Sequence, residues 1–285
     1  MRIAYVTVHI APELMQGGVG KKIKTQTSFW REAGHKVTLF SLTPEEIPFP
    51  EERQFIFDAK TSLLKREANR ASNLMRLLDA VRAYQPDIIY LRFGLYSYPL
   101  HRLFKIAPTV LEVNSDDRVE YSTRGKFFYW LNRLTRRLTF IPASGIISPS
   151  YELVNMLLPK RDKPFCVISN GIDLSQAAPL PPPKNVSPVI TLVGSPGMDW
   201  HGVDKLIQFA ETFPDLTIQI VGYLRTDMDI PSPTNVHFLG FLYGDELRKA
   251  LSKTDVACGT LALHRKKMNE ASPLKVREAL ACAIP

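Results

Sequence analysis

The amino-acid sequence predicts an α/β fold made of two doubly wound domains, each built on a parallel sheet and facing the other across a cleft. Three observations support this prediction. Short runs of β-branched and apolar residues alternate with helical patterns along the chain. The alternation starts again after a proline-rich stretch at 177–184. The chain has 285 residues, 45% hydrophobic and 22% charged, which is sufficient for two cores of ordinary size.

The first domain is predicted to span residues 1–169 and to begin with a βαβ unit. A strand at 2–8 is followed by a loop at 9–19, a helix that ends near Ala33, and a strand at 37–42. The remaining predicted elements of this domain are strands at 86–91, 108–113, 144–148 and 165–169 and helices at 62–84 and 149–158. This order is typical of an open parallel sheet covered by helices.

A proline-rich linker at 170–188 is predicted to lead into a second domain at 189–285. The second domain begins with a strand at 189–193, a turn at 194–202 and a helix at 203–213. Its later elements are predicted to be strands at 216–221, 236–239 and 256–258 and helices at 243–252 and 274–283. A doubly wound domain would continue with a further strand, so we expect this domain to be incomplete.

The composition restricts the class of protein. Cys166, Cys258 and Cys282 have no zinc-binding spacing, and their odd number argues against a disulfide framework, as expected in a reducing cytoplasm. The amino terminus does not resemble a signal peptide, and no apolar window approaches the length of a membrane span. The formal net charge of +8 indicates an anionic partner. The sequence carries no signature of a nucleic-acid-binding module, so we expect no nucleic acid.

The glycine-rich run at 17–20 follows the first predicted strand. A Walker loop would need glycine at Met15 and a hydroxyl side chain at Lys22, and a dinucleotide fingerprint would need glycine or alanine at Ile23. Both motifs are therefore excluded. We still expect the backbone of Gly17 and Gly18 to approach a ligand closely, since the carboxyl end of a strand is where such sheets bind ligands.

Polar residues also follow the strand predicted at 108–113. Asn114 and Asp116 come directly after this strand, and open α/β sheets place ligands just past their strand ends. They are candidate ligand-binding residues, and the alternative is an ordinary polar loop.

The last segment of the chain carries two carboxylates, Glu270 and Glu278, with a Ser-Pro pair between them. Ser272 is predicted to cap a helix that begins at the proline. The N–H groups of Leu274 and Lys275 would then point away from the helix and form an anion site. Taken alone, the same pattern is also typical of a surface helix with solvated charges.

Together these motifs resemble those of GT-B glycosyltransferases of the large retaining family 4, and the resemblance covers the whole chain. The motifs are the glycine-rich run, Val167-Ile168-Ser169-Asn170-Gly171-Ile172-Asp173, the Val193-Gly194 turn with Gly202-Val203-Asp204, and Glu-x7-Glu at 270–278 followed by Ala-Leu-Ala-Cys-Ala-Ile-Pro. The resemblance implies two Rossmann-like domains, an amino-terminal one for the acceptor and a carboxyl-terminal one for a nucleotide sugar.

The resemblance also implies roles for individual residues. Glu278 would hold the ribose, Glu270 would contact hydroxyls of the donor sugar, and the N–H groups of Leu274 and Lys275 would hold the diphosphate. The implied reaction is sugar transfer from a UDP- or GDP-linked donor to a saccharide or lipid-linked acceptor, with retained configuration and without a metal. Surface polysaccharide or glycolipid synthesis is the implied process.

The sequence departs from the family pattern in the turn after Gly194. The family usually has an arginine and a lysine there to neutralise the diphosphate, whereas this chain has Ser195 and His201. His201 can donate a hydrogen bond, with a charge that depends on pH. Lys275 or the basic residues 265–267 would have to compensate. A nucleotide-sugar epimerase of the same fold and a non-catalytic nucleotide-sugar-binding module remain alternative interpretations.

The segment 118–140 is basic and amphipathic. Phe127, Leu131, Leu134 and Leu138 share one face of a predicted helix, and the segment has six basic residues against one acidic residue, Glu120. The favoured interpretation is a helix that packs its apolar face on the sheet. The alternative is peripheral contact with an anionic membrane. A metal-binding role for Asp227 and Asp229 is disfavoured, because they lie in a proline-rich loop.

Overall fold

The structure is a computed structural model and describes residues 1–8, 17–46, 52–158, 160 and 162–285. It divides into two compact units, Met1–Ser169 and Asn170–Pro285. Both units are mixed α/β with parallel strands, which confirms the predicted fold class.

The first unit contains a seven-stranded parallel sheet in the order β3-β2-β1-β4-β5-β6-β7. Its strands are β1 Arg2–Val8, β2 Lys36–Thr43, β3 Glu52–Ile56, β4 Ile88–Arg92, β5 Thr109–Glu112, β6 Gly145–Ser148 and β7 Phe165–Val167. Its helices are α1 Gly18–Glu32, α2 Leu63–Tyr84, α3 Asp117–Thr123, α4 Lys126–Thr135, α5 Arg137–Phe140 and α6 Tyr151–Leu157, with a 3₁₀ helix at Leu100–Lys105.

The core of this unit forms where α1 packs on the central strands. Tyr5 of β1, Ile23 of α1 and Leu39 of β2 are buried together, and Trp30 packs edge-on against Tyr90 of β4. The strands are apolar on both faces because helices cover both sides of a parallel sheet. This packing fixes α1 above the carboxyl end of β1.

The second unit has a four-stranded parallel sheet in the order β10-β9-β8-β11. Its strands are β8 Val189–Val193, β9 Thr217–Val221, β10 Val236–Gly240 and β11 Val256–Cys258. Its helices are α7 Val203–Thr212, α8 Gly244–Leu251 and α9 Leu274–Ala281, with short 3₁₀ turns at Leu174–Gln176, Asp199–His201, Arg225–Asp227 and Leu263–Lys266.

The proline-rich segment before β8 packs on the second unit. Leu180 N–H donates to the Cys282 carbonyl over 2.9 Å, and the Asn185 amide donates to the Asp255 carboxylate over 2.8 Å. These contacts bring the segment against α9 and β11, so it contributes to the same core.

Two structural expectations need correction. The strand β3 was not predicted, because Glu-Arg-Gln-Phe-Ile has the mixed polarity of an edge strand. The segment 118–140 is not a single helix, because Gly125 adopts φ 116° between α3 and α4. Among the described helices, none combines the length and apolarity needed to cross a bilayer.

Candidate functional site

The predicted site residues form two groups, one in each unit, and both groups lie at the carboxyl ends of parallel strands. The group in the second unit lies around the turn after β8 and the start of α9. The group in the first unit lies at the ends of β1, β4 and β5. Each group is described by itself.

The turn after β8 requires glycine at Gly194. A Cβ atom at Gly194 would lie 2.6 Å from Cε2 of Tyr223 and 2.8 Å from Nδ1 of His201. Gly222 makes an even closer approach, since a Cβ atom there would lie 2.1 Å from the Gly194 carbonyl oxygen. These close contacts hold the ends of β8 and β9 and the His201 ring in one compact group.

His201 is held as a neutral ring by its neighbours. The N–H of Ser195 donates to Nδ1 over 3.3 Å, and the Tyr223 hydroxyl lies 3.0 Å from the same nitrogen. A backbone N–H can only donate, so Nδ1 is the acceptor and Nε2 carries the ring proton. Burial, together with the nearby Lys275 and Lys266, lowers the pKa of His201 to about 3.

This environment corrects the expectation that the charge of His201 varies with pH around neutrality. The ring is neutral there, and because Nδ1 is already occupied it offers a ligand only the Nε2 N–H as a hydrogen-bond donor. Any positive charge for an anionic ligand must therefore come from other residues.

Helix α9 begins at Leu274, and Pro273 is its N-cap. Ser272 does not cap the helix as predicted. Its hydroxyl instead accepts from the Asn170 N–H over 3.1 Å and from Nε of Arg277 over 3.3 Å. In this part of the structure no side chain caps α9, so its first N–H groups need partners from outside the helix.

Lys275 lies in the first turn of α9, and its amine points inward. Its Nζ is buried and has no hydrogen-bond partner among the residues that the structure describes. Burial lowers the pKa of Lys275 to about 8, while the Cys258 thiol at the end of β11 acts weakly in the opposite direction. An ammonium group in this situation is poised to pair with an anion, because a buried unpaired charge is costly.

Of the basic residues 265–267, Lys267 is exposed and the other two are already engaged. Arg265 forms a bidentate ion pair with Asp204, with N–O distances of 2.9 and 2.6 Å. It also donates a hydrogen bond to the Asp199 carbonyl. Lys266 is buried with its ammonium 4.1 Å from the centre of the Trp200 ring. Of the compensating residues that the sequence offered, Lys275 is thus the one with an unpaired buried charge.

Glu278 and Glu270 differ in their environments. Glu278 is half-buried on α9 and, with Lys275 and Val193, lines a small cavity of about 50 Å³ beside Cys258. Glu270 is exposed in the loop before the helix. The structure therefore brings Glu278 close to Lys275 and the end of β8, and it leaves Glu270 at the surface of the unit.

The glycine-rich run lies at the start of α1. Gly17 is the N-cap of this helix and Gly18 its first residue, so the run belongs to the helix more than to the predicted loop. The rest of that loop, 9–16, lies outside the described residues. The first turn of α1 has no acidic residue and no side-chain cap in the described part of the chain.

A buried ionic group lies below this helix. Glu112 ends β5, is 2% exposed, and accepts hydrogen bonds from Arg92 and from the Tyr5 hydroxyl, both over 3.1 Å. Lys22 of α1 pairs with the other carboxylate oxygen at 2.5 Å and donates to the Asn114 side chain over 2.8 Å. This ionic group joins α1 to the ends of three strands.

The charges in this group are balanced by pairing. Burial raises the pKa of Glu112, but Arg92 and Lys22 outweigh it, so the pKa lies below the usual value. Burial lowers the pKa of Lys22, against the opposing effect of Glu112. Burial and Glu112 together raise the pKa of Tyr5 well above its usual range. The carboxylate is therefore ionised and the Tyr5 phenol neutral at neutral pH.

The two residues predicted after β5 have different surroundings. Asn114 is partly exposed and held by Lys22. Asp116 is buried, caps α3 by accepting from the Arg118 N–H over 3.0 Å, and pairs with the Arg118 guanidinium. The carboxylate of Asp116 is thus occupied by local structure, whereas Asn114 still faces solvent on one side.

Sequence reasoning missed Lys22, Arg92 and Tyr223. Lys22 follows Gly18 by one helical turn, and this spacing could have placed it above the strand ends. Arg92 and Tyr223 end or follow central strands, where ligand-facing side chains are expected. Among the described residues, no three His, Cys, Asp or Glu side chains are grouped closely enough to hold a metal ion.

Comparison with known families gives one match. A sequence model of the family described as Glycosyltransferase Family 4 matches residues 16–176, which is more than half of the chain. The match covers the glycine-rich run, Lys22 and Glu112 of the first unit. No curated protein matches the chain.

Several solved structures share the fold. Sucrose-phosphate synthase from Thermosynechococcus elongatus aligns with a TM-score of 0.68 and 16% identity, over 100% of this chain and 80% of that one. An α-glucosyltransferase in complex with UDP and DNA also aligns with a TM-score of 0.68 and 16% identity, over 100% and 78%. A lipopolysaccharide outer core galactosyltransferase aligns with a TM-score of 0.64 and 15% identity, over 100% and 79%. At these identities the likeness concerns the fold, which is that of GT-B glycosyltransferases.

Proposed function

The chain belongs to glycosyltransferase family 4, and we propose that it transfers a sugar from a nucleotide-sugar donor to a saccharide or lipid-linked acceptor. The anomeric configuration is retained. The second unit binds the donor and the first unit binds the acceptor. The reaction takes place in the cytoplasm and serves cell-surface polysaccharide or glycolipid synthesis, a setting that fits three free cysteines.

The observation that carries this proposal is the unpaired ammonium of Lys275 beside the uncapped start of α9. The positive end of the helix dipole and a buried cation together favour a ligand with concentrated negative charge. A diphosphate has this charge and can accept hydrogen bonds from several donors at once. Lys275 then supplies the charge that the neutral His201 does not supply.

Placing the diphosphate at the start of α9 assigns roles to the remaining donor-site residues. The N–H groups of Leu274 and Lys275 hold the diphosphate, and Glu278, about one turn further along α9, holds the ribose hydroxyls. His201 donates through Nε2, while Gly194 and Ser195 allow the backbone to approach the ligand. Glu270 contacts the sugar hydroxyls and is the proposed catalytic residue.

Charge development explains how this group would promote transfer. The diphosphate gains negative charge as the bond to the sugar breaks, so fixed donors stabilise the transition state more than the ground state. The ammonium of Lys275 and the start of α9 supply this stabilisation without a metal ion. UDP and GDP are the proposed leaving groups, and UDP is the first choice because the α-glucosyltransferase neighbours were solved with UDP or UDP-glucose.

The acceptor is assigned to the group at the ends of β1 and β5. Gly17 and Gly18 at the start of α1 and the partly exposed Asn114 offer hydrogen-bonding groups at this edge. The buried carboxylate of Glu112 fixes Lys22, which in turn orients Asn114. Asp116 contributes through the position of α3, because Arg118 occupies its carboxylate.

Nucleotide titration tests the donor site. Calorimetric titration of UDP, GDP and ADP and their common sugars into wild type should show binding of one nucleotide. Glu278→Gln should weaken this binding by about tenfold or more, as expected for a lost charged hydrogen-bonding pair. Glu211→Gln, an exposed helical substitution in the same unit, is the matched control and should bind like wild type.

Three results would contradict the proposal. Unchanged nucleotide affinity in Glu278→Gln would remove the role assigned to Glu278. Conversion of the donor sugar into its epimer without any acceptor, detected by NMR spectroscopy of the sugar, would favour an epimerase. Nucleotide-sugar binding without transfer or hydrolysis, across a panel of saccharide and lipid-linked acceptors, would indicate a non-catalytic binding module.

A further inference from the structure

The helical segment 126–141 exposes most of its large apolar side chains, and the side chains that it buries are Asn132, Thr139 and Phe140. It comprises α4 and α5, and the backbone stays helical through Arg136 between them and through Ile141 after them. The side chain that it buries most deeply within α4 is Asn132, which is 2% exposed. In a helix that only covers a sheet, apolar side chains would take this inner position.

The inner side of the segment is anchored by polar contacts. The Asn132 amide donates to Asp117 over 2.7 Å, and Nε of Arg136 donates to the same carboxylate over 2.9 Å. The guanidinium of Arg136 also lies 3.5 Å from the centre of the Phe140 ring. These contacts fix the orientation of the segment about its own axis. The opposite side of the segment therefore faces solvent.

The outer side carries large apolar residues in a single row, which we call the outer stripe. Its members recur every three or four positions, as required for one face of a helix. They are Phe127, Trp130, Leu134, Leu138 and Ile141, of which Phe127 is 73% and Leu134 66% exposed. Of the face expected to pack on the sheet, Phe127, Leu134 and Leu138 are exposed and Leu131 is half-buried, which corrects that expectation.

Basic residues border the outer stripe. Lys126, Arg133 and Arg137 are exposed and fall on one side of the row, within one helical turn of its aromatic members. The sequence from 126 to 141 contains no aspartate or glutamate. The surface is thus apolar along its centre and positively charged along its edge.

An apolar groove of about 220 Å³ continues this surface beyond the end of α5. Its apolar lining is Phe140, Ile141, Leu157 and Leu158, and its charged lining is Arg136, Lys160, Asp162 and Lys163. The Lys163 amine donates to the carbonyls of Ile141 and Ala143 over 2.7 and 2.9 Å. The groove therefore extends both the apolar area and its positive border.

We propose that the outer stripe binds the surface of an anionic lipid bilayer, with the segment 126–141 lying in the plane of the interface. The apolar side chains enter the acyl boundary and the basic residues pair with lipid phosphates. Trp130 is suited to this depth because an indole ring has an apolar body and a polar N–H. This binding goes beyond sugar transfer and does not depend on it.

A second copy of the chain is a poorer occupant for this surface. An antiparallel symmetric contact through the outer stripe would bring Lys126, Arg133 and Arg137 of both copies together. Like charges at such a contact oppose association, and the chain already has a net charge of +8. An anionic bilayer offers the opposite charge and an apolar interior at once.

Vesicle co-sedimentation at low salt tests the proposal. Wild type should bind vesicles of equimolar phosphatidylcholine and phosphatidylserine at least about tenfold more tightly than vesicles of phosphatidylcholine alone. The variant Phe127→Ser/Trp130→Ser/Leu134→Ser should lose most of this binding. The variant Lys126→Glu/Arg133→Glu/Arg137→Glu should lose the preference for anionic lipid.

The matched control substitutes exposed apolar residues elsewhere in the same unit. Leu63→Ser/Leu64→Ser removes two exposed leucines of α2 and should bind like wild type. Circular dichroism and melting curves show whether each variant is folded. The fluorescence of Trp130, taken as the difference between wild type and Trp130→Phe, should shift to shorter wavelength on adding anionic vesicles.

Three results would overturn the proposal. The first is wild type remaining in the supernatant with both kinds of vesicle, and the second is the triple serine variant binding as well as wild type does. The third is a wild-type dimer, seen by light scattering, that the serine variant cannot form, which would assign the outer stripe to a second copy. None of these measurements needs a sugar donor, so they stay separate from any failure of the glycosyl-transfer proposal.

Discussion

Lys275 combines two properties that seldom occur together in a structural lysine. Its ammonium is buried, and it has no partner among the described residues. Because burial disfavours the charged form, the pKa falls to about 8, compared with an ordinary value of 10.5. The protein thus keeps a costly charge next to the start of α9, where a bound anion would stabilise it.

This lysine predicts a specific pH dependence of nucleotide binding. A diphosphate favours the protonated amine and raises its pKa in the complex. Binding is therefore at full strength below the free pKa of about 8 and weakens above it. We expect the Kd for the nucleoside diphosphate to rise by up to about fivefold between about pH 8 and about pH 9. Calorimetry in buffers of different ionisation enthalpy should also detect proton uptake on binding.

The variant Lys275→Met isolates this effect, because methionine has a similar length and no charge. It should bind the nucleotide weakly and with little change across the same pH range. An equally steep pH dependence in Lys275→Met would assign the titration to another group.

Gly222 provides a test of the close packing around His201. It has φ 86°, and a Cβ atom there would lie 2.1 Å from the Gly194 carbonyl oxygen. Gly222→Ala should destabilise the second unit by about 3 kcal/mol or more, from backbone strain together with steric overlap. Gly197→Ala is the matched control, since Gly197 has φ 73° with open space around it. The Gly197→Ala substitution should lower the free energy of unfolding by only about 1–2 kcal/mol. Urea denaturation followed by tyrosine and tryptophan fluorescence measures the stability of both variants. Equal losses of stability in the two variants would argue against the packing interpretation.

At the level of secondary-structure elements, the ionic group around Glu112 joins α1 to β1, β4 and β5. Lys22, Arg92 and Tyr5 each come from a different element and meet one carboxylate. Such a group depends on all of its members, because removing one leaves the others buried without a counter-charge. It therefore holds the start of α1 in register with the strand ends that carry the proposed acceptor site.

Glu112→Gln should destabilise the protein by about 3–5 kcal/mol at neutral pH, since Lys22 and Arg92 lose their shared counter-ion. The folded pKa of Glu112 lies below its ordinary value of 4.5. Its contribution is therefore present above about pH 4.5 and is lost as the pH falls through the folded pKa. The stability difference between wild type and Glu112→Gln should thus narrow in acid.

A double-mutant cycle with Lys22→Met supplies the control for this prediction. The double variant should be more stable than the sum of the two single losses predicts, because it leaves fewer unpaired charges. Additive losses would show that the two side chains act independently.

The elements themselves were largely predictable from the sequence. The buried strands β1, β2 and β8 stand out as β-branched and apolar runs, and those of β2 and β8 are bounded by glycine or proline. The edge strand β3 lacks this signal, since Glu52, Arg53 and Gln54 occupy most of it. The break at Gly125 depends on its positive φ. Glycine permits this conformation, but the presence of a glycine in the sequence does not show that the conformation is adopted.

The side-chain groups were much less predictable. Lys22 and Glu112 are 90 positions apart, and only the register of β1, β4 and β5 brings them together. The orientation of the segment 126–141 depends on Asn132 and Asp117 forming a buried pair. Its amphipathic pattern was visible, but which side faces the protein depends on contacts outside the segment.

At the level of the whole molecule, the two units have separate cores. One core forms around Tyr5 and Ile23, and the other around Leu192, Ile207 and Ile220. Each unit also carries its own group of functional residues. A ligand that binds the second unit should therefore stabilise that unit first, since stabilisation by a ligand requires binding to the folded form of the part that holds it.

Hydrogen exchange measured by mass spectrometry can test this division. At a nucleotide concentration of about 100 times the Kd, global unfolding of the second unit should cost about 2.7 kcal/mol more than without the nucleotide. Slowly exchanging amides of β8 and β9 should report this change, whereas those of β1 and β4 should exchange at unchanged rates. The variant Glu278→Gln at the same nucleotide concentration is the control and should show a smaller gain. Equal protection of both sheets in wild type would mean that the two units unfold together, and the stability effects of Gly222→Ala and Glu112→Gln would then have to be assigned to the whole chain.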